Sequence, residues 1–275
     1  MALPVALQLY TVRDEMEKDF AGTLKAVKEM GYDGVELAGL LGHSADEVCA
    51  VLSAAGLVAE SAHSPLDDIL SDIDGTIETY KRIGVKYIVI PYITEERRPG
   101  AAKFEQTIEE IQKVGKAIKD AGMQLLYHNH DFEFVKCEGE YGLDVLYSRT
   151  CPDYLASEID TCWVNVAGVD PSDYVRKYTG RAPVVHLKDF YQSGKLASNL
   201  YALIGIDEGA KEEEEQGVFE FRSIGHGLQD IPSILAASVD AGAKWVVVEQ
   251  DEPSQGNTRM QSAKMSRDYL RTLGW

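Results

Sequence analysis

Along this chain, polar residues of a few chemically useful types recur where short apolar runs stop. They are His63 in "AESAHSP", His128 and His130 in "LLYHNH", Asp160 in "SEIDTCW", His186 and Lys188 in "VVHLKD", and Glu249 in "VVVEQD". Four of the six histidines belong to this set. Burying several carboxylates and imidazoles in one place is costly unless they are paired or share a cation, so a bound metal is the simplest common explanation. His128, Asp160, His186 and Glu249 form a two-nitrogen, two-oxygen set. It suits a divalent ion such as Mn, Co, Mg, Zn, Fe or Ni and leaves positions open for substrate oxygens. The chemistry to expect is proton abstraction from a carbon next to a carbonyl, with stabilisation of the enediolate charge that develops. Glu249 is the candidate base, and His128 or His130 the candidate acid, because imidazole titrates near neutral pH. Returning the proton gives isomerisation or epimerisation; expelling a β-hydroxyl gives dehydration.

Each of the remaining candidates has a plainer reading beside the functional one. Glu158 lies two residues before Asp160, on the same strand face but one layer deeper, so a second base competes with a buried structural acceptor. His63 could position substrate or only satisfy backbone groups in the "HSP" turn. Lys188 could contact substrate or form a salt bridge with a neighbouring carboxylate. Trp163 offers an apolar wall for a sugar face, against simple packing. His226, between two glycines in "SIGHGLQD", is a substrate contact or part of a turn. Gln8, Glu36 and Tyr92 are weaker, since short strand-end polar residues commonly just close a barrel mouth. His43 precedes a serine suited to capping a helix and reads as surface.

Residues this far apart in sequence meet only if the elements carrying them converge. Helical stretches ending in glycine and followed at once by a short apolar strand recur in "KEMGYDGVEL", "LSAAGLVAES", "KRIGVKYIVI", "KDAGMQLLYH" and "VDAGAKWVVVE". There a glycine can adopt the left-handed conformation that terminates a helix. With three less regular units the strands number eight, near residues 5–10, 33–37, 57–62, 86–90, 123–128, 155–160, 183–187 and 244–249. Strict β-then-α alternation requires parallel strands. Eight such units predict a single (β/α)8 TIM barrel over residues 1–275, with inward side chains converging at the C-terminal mouth. A dinucleotide-binding open sheet is disfavoured because "LQLYTVRDEM" has no glycine turn after the first strand. The segment from Gln192 to Gly227 is longer than an ordinary connection and is expected to cover part of the site. Its acidic run, Glu212 to Glu215, reads as solvated.

Composition narrows the partners. Of the 275 residues 45% are hydrophobic and 26% charged, enough to bury a large core. The formal net charge of −18 opposes nucleic-acid binding, which depends on neutralising phosphates with Lys and Arg. No apolar run approaches a membrane span, and no basic region precedes the first apolar segment, so a cytoplasmic address is expected. Cys49, Cys137, Cys151 and Cys162 show no metal or disulfide spacing. The expected partner is a small sugar or polyol; barrel helices commonly pair, so a homo-oligomer is a further expectation. Apart from Lys188, Arg97 and Arg98 nothing basic suggests a phosphate pocket, which favours a free sugar or inositol-like ketone.

At these same residues the sequence resembles the xylose isomerase-like TIM-barrel superfamily, which includes sugar and sugar-phosphate isomerases and epimerases, inosose dehydratases and the endonuclease IV group. "LQLYTVRDE", "GYDGVELAG", "AHSP", "DTCW" followed by "DP", and "HLKD" look like its first, second, third, sixth and seventh strands. The resemblance implies a divalent-metal site built from Glu, Asp, His and Glu at the ends of strands five to eight. Asp160, His186 and Glu249 match, while His128 stands where a glutamate is usual. That departure puts a symmetrical two-glutamate epimerase mechanism in doubt, and inosose dehydratase-like proteins carry histidine-rich text there. Trp163 replaces a histidine that endonuclease IV-like proteins use in a zinc cluster, which with the negative charge argues against DNA cleavage. The resemblance implies a metal-dependent sugar or polyol isomerase or epimerase. The alternatives are an inosose dehydratase-like lyase, a keto-sugar glycoside-cleaving enzyme, and a non-catalytic sugar-binding barrel.

Overall fold

A computed structural model describes residues 2–137, 139–194, 200 and 217–275. Eight parallel strands close into a barrel: β1 Val5–Gln8, β2 Gly34–Ala38, β3 Val58–His63, β4 Tyr87–Ile90, β5 Gln124–His128, β6 Leu155–Asp160, β7 Val184–Leu187 and β8 Trp245–Val248. β1 pairs with both β2 and β8, which seals the ring. All eight expected strands are present within a residue or two, except that the first stops at Gln8. There the side chain accepts from the Tyr10 N–H at 2.9 Å and turns Leu9–Val12 into a 3-10 helix.

The helix-ending glycines explain the regular phase. Gly31 at φ 91° and Gly84 at φ 92° terminate the helices Phe20–Met30 and Ile73–Ile83 with left-handed caps, so each following strand starts in register. Ser44 caps Ala45–Ala55 as expected of the residue after His43, and the His43 ring packs on Phe20 at 4.4 Å. Inside the barrel, Ala6, Val89, Leu126, Ala156, Val184 and Val247 fill the space below the polar mouth. A larger apolar shell, including Val35, Ile88, Leu125 and Ile159, joins strands to helices. The four cysteines are free thiols. Among the described residues no helix is long and apolar enough to cross a membrane.

One part of the mouth departs from expectation. The long connection after β7 begins and ends as an antiparallel ribbon, Asp189–Ser193 against Val218–Arg222. Alternating Phe190, Phe219 and Phe221 bury its inner face against Trp163. The ribbon was not foreseen because its two strands are separated by a long segment. The run Glu212 to Glu215 lies outside the described residues.

Candidate active site in the barrel mouth

The lower layer of the mouth centres on Glu158. Its Oε1 lies 2.9 Å from His63 Nε2, 3.1 Å from His128 Nδ1 and 3.0 Å from His186 Nε2. Glu36 Oε1 stands 2.9 Å from His63 Nε2 and 2.8 Å from His186 Nε2, and accepts from Gln8 Nε2 at 2.6 Å. Both glutamates and His186 are fully buried. Burial opposes charge on His63, but Glu36 and the bonds to Glu158 and Glu36 outweigh it and push the ring up to about 10. His186 moves the same way against the same penalty, held up by Glu158 and Glu36. Burial would raise the Glu158 carboxyl, yet His186 and the hydrogen bonds from the histidines hold it well below the usual range.

The upper layer centres on Lys188. Its Nζ is 2.8 Å from Glu249 Oε2, 2.8 Å from Asp251 Oδ2 and 3.3 Å from Asp160 Oδ2. Despite burial, these three carboxylates keep the ammonium charged well above its ordinary range. Burial also works against Glu249, but Lys188 and His186 keep it ionised. Asp251 goes the other way: burial, with the neighbouring Glu249 charge, raises it more than Lys188 lowers it. His186 Nδ1 reaches Glu249 Oε2 at 3.2 Å and His128 Nε2 stands 3.7 Å from Asp160 Oδ2, which ties the two layers together. His130 is pushed well below its usual value by burial and by the charges on His128 and Lys188.

Local sequence explains how "LLYHNH" holds this shape. Tyr127 faces outward and donates to Glu133 Oε1 at 2.6 Å, while Glu133 Oε2 accepts from the His130 backbone at 2.7 Å. Burial pushes the Glu133 carboxyl up to about 8 in spite of these bonds. Asn129 clamps the end of β5 to β6: its Oδ1 accepts from Asp160 N at 3.0 Å and its Nδ2 donates to Asp160 O at 3.2 Å. Asp160 Oδ1 accepts from Trp163 N at 3.0 Å, capping Thr161–Val166, so only its other oxygen faces Lys188.

A cavity of about 410 Å3 opens above these layers, with His63, His128, His130, Lys188, Glu249 and Asp251 in its floor and walls and Tyr10, Asp68, Tyr80 and Tyr92 around them. Asp160, His186 and Glu158 lie beneath this surface. Two of the expected substrate contacts stand outside the lining of this cavity. Trp163 is fully buried behind His130, 5.3 Å between rings, and packs on Phe221 rather than lining the cavity. His226 is exposed in a turn whose Gly225, Gly227 and Gln229 N–H groups donate to the Asp189 carboxylate. His63 bonds to Glu36 and Glu158 rather than to the "HSP" turn. Glu36 was underrated, since it sits at the centre of the lower layer instead of merely closing the mouth. Asp251 was missed altogether. A readable signal existed: ionisable residues two apart recur on four consecutive staves, His128 and His130, Glu158 and Asp160, His186 and Lys188, Glu249 and Asp251.

The donor set fits a divalent cation. Glu36 Oε2 and Glu158 Oε2 are buried carboxylate oxygens without hydrogen-bond donors among the described residues. Ligand atoms of His128, Asp160, His186 and Glu249 all lie within 4.8 Å of one another, and so do those of His63, His128, Glu158 and His186.

Residues 24–273 match the model of the xylose isomerase-like TIM barrel family, and the chain belongs to that family. Among curated relatives, an inosose dehydratase of Lacticaseibacillus casei is 24% identical over 184 residues, 66% of this chain and 56% of its own. The chain thus spans about half the length of the first relatives it matches. An inosose dehydratase of Mesomycoplasma hyopneumoniae (strain 7448) is 25% identical over 283 residues, covering 90% of this chain and 88% of that protein. A solved sugar phosphate isomerase/epimerase from Parabacteroides distasonis ATCC 8503 superposes with a TM-score of 0.78 at 20% identity, covering 98% and 94% of the two chains. At that identity the likeness speaks for the fold.

Proposed function

We propose that the barrel mouth removes a proton from the carbon beside a ketone in a neutral polyol, and that loss of a β-hydroxyl, a dehydration, is the outcome. The observation that carries the reading is Glu249: it lines the cavity, is held ionised by Lys188 at 2.8 Å, and stands 3.2 Å from His186. A carboxylate that is ionised and lines a substrate-sized space is in the protonation state a base requires. Lys188, His128 and His130 face the same cavity and supply donors for substrate oxygens, with a leaving hydroxyl among them. A divalent cation bound around His128 and His186, with Asp160, Glu249 or Glu158 completing the set, would polarise the carbonyl and stabilise enediolate charge.

The wall chemistry favours an uncharged substrate. Asp68, Glu249 and Asp251 line the cavity, and the one Lys among them is already matched by carboxylates. Arg97 is occupied by Glu110 at 2.5 Å and Asp67 at 2.6 Å, so it does not supply a phosphate site. Dehydration is preferred over the isomerisation or epimerisation first expected for two reasons. His128 removes one of the two glutamates that a symmetrical proton transfer would use, and the curated relatives are named inosose dehydratases. Isomerisation remains the second reading, because it begins with the same proton abstraction. Cleavage of a keto-sugar glycoside would do so too, while a sugar-binding barrel without turnover would leave these groups idle.

The test is a screen of inososes and keto-sugars with added Mn2+, Co2+ or Mg2+, following products by mass. A product lighter by one water supports the dehydratase reading, an isobaric product the isomerase reading. Saturable binding without turnover of any compound would favour the non-catalytic barrel.

A further inference from the structure

The ring order of the strands divides the mouth in two. β1 to β4 are neighbours along one half of the circumference, and β5 to β8 along the other. Among the described residues, those that the second half lends to the cavity are all ionisable: His128, His130, Lys188, Glu249 and Asp251. The half built on β1 to β4 differs in kind. Its wall is formed by Ala38, Gly39, Pro65 and Pro91 with the rings of Tyr10 and Tyr92. His63 stands in that half but bonds to Glu36 and Glu158 in the lower layer, and Asp68 is exposed.

Hydroxyls along this wall already have partners in the protein. Tyr92 accepts from Arg98 Nη2, and the Ser64 and Tyr80 hydroxyls bond to one another. A polyol carries oxygen on nearly every carbon, and turning those hydroxyls toward Ala38, Pro65 and Pro91 would strip them of water without a replacement bond. An apolar group gains there what a hydroxyl loses. Space agrees with the chemistry. The cavity of about 410 Å3 falls among the pockets of about 300–1,000 Å3 that enclose drug-sized ligands, which are larger than one polyol ring. A Cβ at Gly39 would meet nothing within 4 Å, so this wall opens on free space.

We propose that the substrate of this chain is a keto-sugar bearing an aromatic substituent. The ketone and hydroxyls lie against the ionic half, and the aromatic group lies against Tyr10, Ala38, Pro65, Pro91 and Tyr92. For the ketone the inference rests on the proton-abstraction reading above, to which it adds the substituent. Tyr10 follows β1 and Tyr92 follows β4, so the two rings bracket the apolar patch and offer a third ring stacked or edge-to-face contact. Both are held from behind: the Arg13 guanidinium lies over the Tyr10 ring at 4.0 Å, and Arg98 bonds the Tyr92 hydroxyl.

The test is a ligand-observed NMR titration of the purified full chain with phenyl β-glucoside and methyl β-glucoside, unreactive sugars that differ only in the substituent. The phenyl compound should bind at least about tenfold tighter, since even one methylene in a hydrophobic pocket contributes about that much. A smaller ratio, or no saturable binding of the phenyl compound, would overturn the proposal. Ala38→Leu, which fills the patch, and Tyr92→Ala, which removes one edge of it, should each bring the ratio below about threefold. A ratio that stays at wild-type level in both variants would place the phenyl group elsewhere and overturn the proposal too. Deuterium release from an inosose labelled beside its ketone is scored separately on the wild-type protein. Release without the phenyl preference overturns this inference alone, whereas the preference without release supports the aromatic subsite and contradicts the proton-abstraction reading.

Discussion

At the scale of single residues, what distinguishes this site is that nearly every charged group has an opposite charge or a hydrogen-bond donor within about 3 Å, so changing one partner strands another. Lys188→Met leaves Glu249 and Asp251 buried beside one another without their cation. It should cost roughly 3–5 kcal/mol in urea unfolding, the range for breaking a buried pair. Glu133 bonds to the Tyr127 hydroxyl and the His130 backbone N–H and gives a further pH signal. Its carboxyl is raised to about 8 by burial, so between about pH 4.5 and 8 the folded protein retains a proton that the unfolded chain has released. Wild-type stability should therefore fall as pH rises through that window, by up to about 1.4 kcal/mol per pH unit from this group. Glu133→Gln should flatten that part of the profile; an unchanged slope would show that Glu133 is not its source.

At the scale of elements, the strands were readable because glycine-terminated helices and short apolar runs are local signals, and the barrel follows from their strict alternation. The strand ends then named His128, Asp160, His186 and Glu249. Pairing partners were harder to read, because they depend on which staves face each other. Glu36 meets His186 across 150 positions of sequence, and nothing near "DGVEL" announces it. Asp189 and the ribbon were hidden for the same reason. The Asp189 carboxylate accepts from the N–H groups of Phe190, Gly225, Gly227 and Gln229, at 2.9 to 3.1 Å, and so fixes the turn that carries His226. Asp189→Ala should cost about 3 kcal/mol or more and speed amide exchange in residues 223–229, since bonds to a charged acceptor contribute about 1.5–3 kcal/mol each. Packing between elements gives a second handle. A Cβ at Gly115, in the helix Phe104–Asp120, would come within 2.2 Å of the Tyr154 carbonyl oxygen. Gly115→Ala should therefore destabilise by about 1–3 kcal/mol, although alanine is the better helix former.

At the scale of the whole molecule, six of the eight staves bring carboxylates and imidazoles from residues 36 to 251 into one mouth, and a bound cation would link them. Saturating Co2+ or Mn2+ should then raise the unfolding midpoint. The gain at a hundredfold excess over Kd is about 2.7 kcal/mol, and His186→Ala should abolish it. Proton abstraction beside a carbonyl nevertheless remains the central claim, and it is tested most directly by release of deuterium from an inosose labelled at the carbon next to its ketone, with Mn2+ or Co2+ present. Both dehydration and isomerisation require that carbon–deuterium bond to break. Wild-type protein should release the label to solvent, and Glu249→Gln, which keeps the shape of the mouth but loses the base, should do so about a hundredfold to ten-thousandfold more slowly. Product formation with the label fully retained, or full release by Glu249→Gln, would contradict the account.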